Sequence, residues 1–132
     1  MASLYSIGHG AKPLERFLRE LTEEHISVVV DVRTFPRSRF HPQYNERALA
    51  ASLLARGIRY LWKGGNLGGR GENVRYDETL DELVELVQNE SVALMCSESD
   101  YRNCHRHRML EPSLRERGAS LIHLPRSQTV LL

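Results

Sequence analysis

Two cysteines stand eight positions apart, Cys96 and Cys104, and the second opens the run Cys104-His105-Arg106. Sulfur, imidazole and guanidinium at this spacing suit nucleophilic chemistry, because a thiolate attacks where a thiol does not, and a nearby cation or helix amino terminus favours the thiolate. Glu98, between the cysteines, adds a group able to act as acid, base or nucleophile. An inert reading competes with this one, since free cysteine is among the most buried residue types and Cys96 ends an apolar stretch. Two familiar patterns fit poorly. Cys96 to Arg102 has the spacing of a thiol-phosphatase loop, but Ser97-Glu98-Ser99-Asp100-Tyr101 lacks glycine and carries two acids that would repel phosphate. Cys96, Cys104, His105 and His107 offer four ligands to zinc or iron, without the short cysteine spacing of the usual sites. No cofactor is strongly indicated, and zinc or iron is the minor alternative.

A second cluster is Asp31-Val32-Arg33-Thr34-Phe35-Pro36-Arg37-Ser38-Arg39, with one carboxylate and three arginines along a proline-stiffened path. Arginine forks suit phosphate and carboxylate, so an anion pocket explains the density; an internal Asp31-Arg33 ion pair beside a solvated loop is the plainer alternative. A third candidate is Gly8-His9-Gly10, where the glycines let backbone come close to a ligand and His9 can carry protons.

These segments need elements to hold them. Leu4 to Ile7 reads as a strand, and Leu14, Phe17, Leu18 and Leu21 mark a helix. The β-branched run around Val28, Val29, Val30 and Val32 suits a strand covered on both faces, which favours a parallel sheet. A helix from about Asn45 to Ala55, a strand Ile58 to Trp62, and a loop Lys63 to Val74 holding five of the nine glycines follow. Next come a helix capped by Asp77, a strand Val92 to Cys96, a helix from about Cys104 to Arg117 disturbed by Pro112, and a strand Ala119 to Leu124. Five strands alternating with four helices predict one three-layer α/β domain over 1–132, with a mainly parallel sheet and helices on both faces. Doubly wound order is the default within that class. Ligands then bind beyond the carboxyl ends of the strands, where all the chemically loaded loops fall.

Composition agrees with a single folded domain: 132 residues, 41% hydrophobic and 27% charged, are ordinary globular usage. Charges of 18 Lys plus Arg against 17 Asp plus Glu do not demand a nucleic-acid partner. No apolar run reaches the roughly 18 residues that span a bilayer, and Met1 to Ile7 is too short for a secretory signal. A cytoplasmic protein with reduced cysteines and no membrane partner is the expectation. Val130, Leu131 and Leu132 form an apolar end suited to packing on the domain or in an oligomer.

Ser6-Ile7-Gly8-His9, the Asp31 to Arg39 run, Pro42-Gln43-Tyr44-Asn45, Leu67-Gly68-Gly69 and Cys96-x-Glu98 through Cys104-His105-Arg106 closely resemble the family catalogued as domain of unknown function 488. Ile122-His123 matches the histidine-bearing strand with which that family ends, whereas Gly10 and His107 depart from its usual residues. The resemblance brings no activity with it. It implies that the signature residues share one ligand site: Cys96, Glu98, Cys104, His105 and His9 for chemistry, and Asp31, Arg33, Arg37, Ser38, Arg39, Tyr44, Asn45, Gly68, Gly69 and Arg106 for binding. The leading expectation is a small enzyme for an anionic substrate, such as a nucleotide, nucleic-acid fragment or phosphorylated metabolite. Thiol-dependent transfer and Glu-assisted glycosidic cleavage are the candidate reactions, and a non-catalytic nucleic-acid- or metal-binding regulatory module is the alternative.

Overall fold

The valine run does form a strand, β2 (Val28–Asp31), buried at all four positions, and its neighbour β4 (Val92–Cys96) is buried at all five. A computed structural model describes residues 2–126, and the apolar end at Val130, Leu131 and Leu132 lies outside them. With β1 (Ala2–Gly8), β3 (Arg59–Trp62) and β5 (Ala119–Leu124), these strands make a five-stranded sheet ordered β3-β2-β4-β1-β5. Every neighbouring pair is parallel.

Side chains alternate across this sheet, so each face carries its own core. Val28, Val30, Val92 and Leu94 pack with Leu80 and Leu83 of helix α4 (Tyr76–Leu86) and Leu114 of α5 (Glu111–Arg115). Val29, Ala93 and Met95 pack on the other side with Phe17, Leu18 and Leu21 of α1 (Leu14–Glu23) and Leu49 and Leu53 of α2 (Glu46–Leu54). Full burial of each such side chain contributes about 1.5–3 kcal/mol before entropy is charged against it. The chain thus forms a single α/β domain among the described residues, with helices on both faces.

Strand order is what builds the site. The chain runs β1 to β2 to β3 in one direction, leaving a slot that β4 later fills between β2 and β1. The helices that follow β1 and β2 lie on one face, and the helices that follow β3 and β4 on the other. Neighbouring strands therefore send their loops apart at β4, which opens a crevice there. Register aligns the strand ends: Asp31 pairs with Met95 and Trp62, and Gly8 with Cys96.

Local details differ from the sequence reading in two places and agree with it in a third. The glycine-rich segment after β3 contains a one-turn helix, α3 (Gly64–Leu67), so it is not all loop. Asp77 lies within the first turn of α4 and does not cap it; the capping position is Arg75, in the left-handed region at φ 55°. The last helix is divided as Pro112 required: Arg106–Leu110 winds as a π-helix, and α5 continues it with proline in its first turn, where a missing N–H is tolerated. No helix among the described residues is long and apolar enough to cross a membrane.

Candidate active site

The loop after β4 is laced to the end of β1. His9 N donates to Cys96 O and Gly10 N to Ser97 O, each at 2.9 Å. A Cβ on Gly8 would collide with the carbonyl oxygen of Glu98, so glycine is required where the two loops cross. The close approach read from Gly8 in the sequence is thus made by the protein's own backbone.

This lacing sets Cys96 at the end of a buried strand and returns the chain through a 3-10 turn (Tyr101–Asn103) to Cys104. The two sulfurs stand 2.6 Å apart, and both residues are buried. Arg106, with no exposed surface, aims its Nε at Cys104 Sγ from 3.2 Å, its Nη1 at Ser6 Oγ from 3.1 Å and its Nη2 at Glu98 O from 2.7 Å. None of these hydrogen-bond partners is a carboxylate. A cation enclosed in protein needs a countercharge, and the Cys104 sulfur is the group placed to supply it.

Hydrogen bonding reinforces the assignment. Cys96 donates to Cys104, His105 Nδ1 lies 3.6 Å from the same sulfur, and the Arg106 charge is adjacent; together they pull the Cys104 thiol well below its ordinary range. Burial, and then the bond to Cys104, push the Cys96 thiol up, so it stays protonated. His105 is oriented by its other nitrogen, since Nε2–H can donate to Val32 O at 3.2 Å, leaving Nδ1 to exchange a proton with Cys104.

Behind this centre lies a second buried network. Asp31 accepts from Arg33 N, Nε and Nη2 at 3.0, 2.9 and 2.8 Å and from the Tyr60 hydroxyl at 2.5 Å. Arg33 Nη1 reaches His9 Nε2 at 3.3 Å, and the His9 ring stacks on Tyr44 with centroids 4.3 Å apart. Burial brings the His9 imidazole down to about 4, so it is neutral at pH 7. The internal Asp31-Arg33 pair weighed from the sequence is present, and it engages the Nε and Nη2 of Arg33 while Nη1 faces His9.

In front of the thiols opens a cavity of about 430 Å³. Cys96, Glu98, Cys104 and His105 line it together with Arg33, Arg37 and Gly69 from the predicted set. Gly69 is exposed but abuts His105, for a Cβ there would sit 3.0 Å from that ring. Ser38, Arg39 and Asn45 border an adjoining cavity of about 440 Å³ that shares Phe35 and Arg37 with the first. Asn45 Oδ1 accepts from Ser38 N at 2.7 Å, and Arg39 lies over the Phe40 ring at 5.5 Å. His9, Asp31, Tyr44, Gly68 and Arg106 are buried and line neither cavity; Gly68 N is held by Asn73 Oδ1 at 3.0 Å.

Thr34, Phe35, Arg70, Ser97 and Asn103 line the first cavity and were not in the sequence-derived set. Arg70 had a visible signal, as it follows Gly68-Gly69; its backbone N–H is tied to Thr34 Oγ1 at 3.2 Å, leaving an exposed guanidinium at the rim. Cys96, Cys104, His105 and His107 do not assemble as a four-ligand metal set. Among the described residues the one group of three or more whose ligand atoms lie within 4.8 Å of one another is His107, Glu111 and His123.

A family model described as "Domain of unknown function DUF488" matches residues 13–79 and 71–112. No curated protein and no solved structure matches the chain. The matched segments hold the Asp31 to Arg39 loop, Gly68-Gly69 and Cys96 through Arg106, the loops that surround the first cavity. By that match the chain belongs to the DUF488 family.

Proposed function

We propose that this protein is a small enzyme that uses Cys104 as a thiolate nucleophile on an anionic substrate of nucleotide type. The observation that carries this reading is the buried Arg106 guanidinium whose hydrogen-bond partners include the Cys104 sulfur and no carboxylate. Arg37 and Arg70 at the cavity rim suit a phosphate, and Phe35, 59% exposed between the two cavities, offers a face to a base.

In the proposed step, the Cys104 thiolate attacks the electrophilic atom of the substrate. A new bond to sulfur forms, and the bond to the leaving group breaks with its electron pair going to that group, which departs as the anion or takes a proton from solvent water. Water or a second substrate then displaces the sulfur, its proton passing to His105 Nδ1 and on to solvent, and the thiolate is restored. Cys96 holds the thiolate through its hydrogen bond. Glycosidic cleavage fits less well, because it ordinarily uses two carboxylates and only Glu98 lines this cavity, exposed and accepting from Asp100 N at 3.1 Å.

The test is native-state alkylation with iodoacetamide, mapped by peptide mass, with and without inorganic phosphate or a nucleoside monophosphate. Cys104 is expected to label with a midpoint below about 8.5, the free-cysteine value, and to be protected by the anion. Labelling only after denaturation, or labelling indifferent to both anions, overturns the reading.

A further inference from the structure

Away from the thiol cavity, three side chains converge on one point. Glu111 Oε1 lies 2.7 Å from His107 Nδ1 and 3.0 Å from His123 Nε2. His107 and Glu111 are four residues apart across the junction of the π-helix and α5, and His123 comes from the neighbouring strand β5. The two imidazoles and one carboxylate each present one ligand atom, and these lie within 4.8 Å of one another.

The geometry points to a divalent transition-metal site of the zinc class, with His107 Nδ1, His123 Nε2 and Glu111 Oε1 as ligands. Two histidines and a glutamate are a donor set that zinc accepts while keeping a fourth position for water. Ligand atoms about 2.0–2.1 Å from a tetrahedral ion stand about 3.3 Å apart, so the two Glu111 contacts, at 2.7 and 3.0 Å, need to lengthen by roughly half an ångström or less. His107 is 45% exposed and can give that movement; Glu111 and His123, 14% and 4% exposed, form the fixed base.

That base has the support that metal-bound histidines usually receive. His123 Nδ1 faces Ser6 Oγ, its register partner on β1, so the ring can place its proton there and turn a lone pair at Nε2 toward the ion. Tyr101 stacks on the His123 ring with centroids 3.9 Å apart and meets the His107 ring edge-on at 5.4 Å. Two cations oppose a metal ion here: Arg115 Nη2, 3.5 Å from Glu111 Oε2 on a side chain 72% exposed and able to swing into solvent, and the buried Arg106, whose Nη1 donates to the Ser6 Oγ that His123 Nδ1 faces and whose charge is directed mainly at Cys104.

The competing site for zinc is the cysteine pair, and the experiment separates the two. Cobalt(II) is titrated into the full chain, into the double variant Cys96→Ser/Cys104→Ser, and into His107→Ala, each checked for folding by circular dichroism. The site predicts that the double variant takes one equivalent with ligand-field bands and no sulfur-to-cobalt charge-transfer band. His107→Ala in the wild-type background, a change at an exposed side chain, is expected to remove one equivalent of cobalt and to weaken zinc retention on dialysis by at least about tenfold. Cobalt bound only with a sulfur charge-transfer band, or equal metal uptake by wild type and His107→Ala, overturns the inference.

Discussion

Arg106 Nε stands 3.2 Å from Cys104 Sγ, and the guanidinium that makes this contact is wholly enclosed. The relationship binds folding to chemistry. A neutral thiol would leave a buried cation without an opposing charge, so the thiolate is the form that the folded chain stabilises. Its other hydrogen bonds, to Ser6 and to the Glu98 carbonyl, fix the angle from which the cation approaches.

Cys96→Ala removes the first of the influences that lower the Cys104 thiol, the hydrogen bond across 2.6 Å. The midpoint of the alkylation rate against pH is expected to rise by about one unit or more, with the alkylation rate at high pH retained. An unchanged midpoint would show that Arg106 and His105 suffice.

Asp31→Asn leaves Arg33 buried without its countercharge and weakens the bond from Tyr60. Urea unfolding is expected to give a loss of about 3–5 kcal/mol, whereas Tyr60→Phe should cost about 1 kcal/mol. Equal and small losses in both variants would mean that the network is not held by its charges.

Arg37→Ala and Arg70→Ala touch exposed side chains at the cavity rim. Each is expected to stay within about 0.5 kcal/mol of the parent in stability. Calorimetric titration with inorganic phosphate or a nucleoside monophosphate should show binding weakened by about tenfold in each, and affinity equal to the parent's would remove these arginines from the anion site.

His9 titrates at about 4 in the fold against 6.5 when free, because burial opposes its charge. Between those values the unfolded chain binds a proton that the folded chain does not, so stability rises with pH there. This contribution is fully present above about 6.5 and is lost as the pH falls to about 4, amounting to at most about 3 kcal/mol. Unfolding of wild type and His9→Gln at pH 7.5 and 4.5 measures it: the wild type should lose more. Parallel losses would assign the acid sensitivity to other groups.

Much of the architecture was legible because it is written locally. The run Val92 to Cys96 and the run Ala119 to Leu124 appear as strands with the bounds read from their apolar residues. Strand order was not legible, since the slot that β4 fills between β2 and β1 is decided by long-range packing. The same limit applies to the arginines. Nothing in the run Arg33 to Arg39 distinguishes Arg33, drawn inward by Asp31, from Arg37, which reaches the rim. Arg106 likewise reads from sequence as a substrate contact, while the fold turns it inward onto Cys104. His107 and Glu111 show a helical spacing that anyone could count, but their meeting with His123 needs the π turn and the pairing of β5 with β1.

The glycine at the end of β1 also governs how this rim can vary. Residues 96 and 97 are stitched to residues 9 and 10 by backbone bonds, the Glu98 carbonyl is seated over Gly8 and held by Arg106, and Ser99 presses on Gly10. Additions or deletions in the loop after β4 therefore have room only beyond Ser99, around the Tyr101–Asn103 turn. Lengthening that turn would reshape the mouth of the cavity while leaving the spacing of the sulfur pair as its invariant footing.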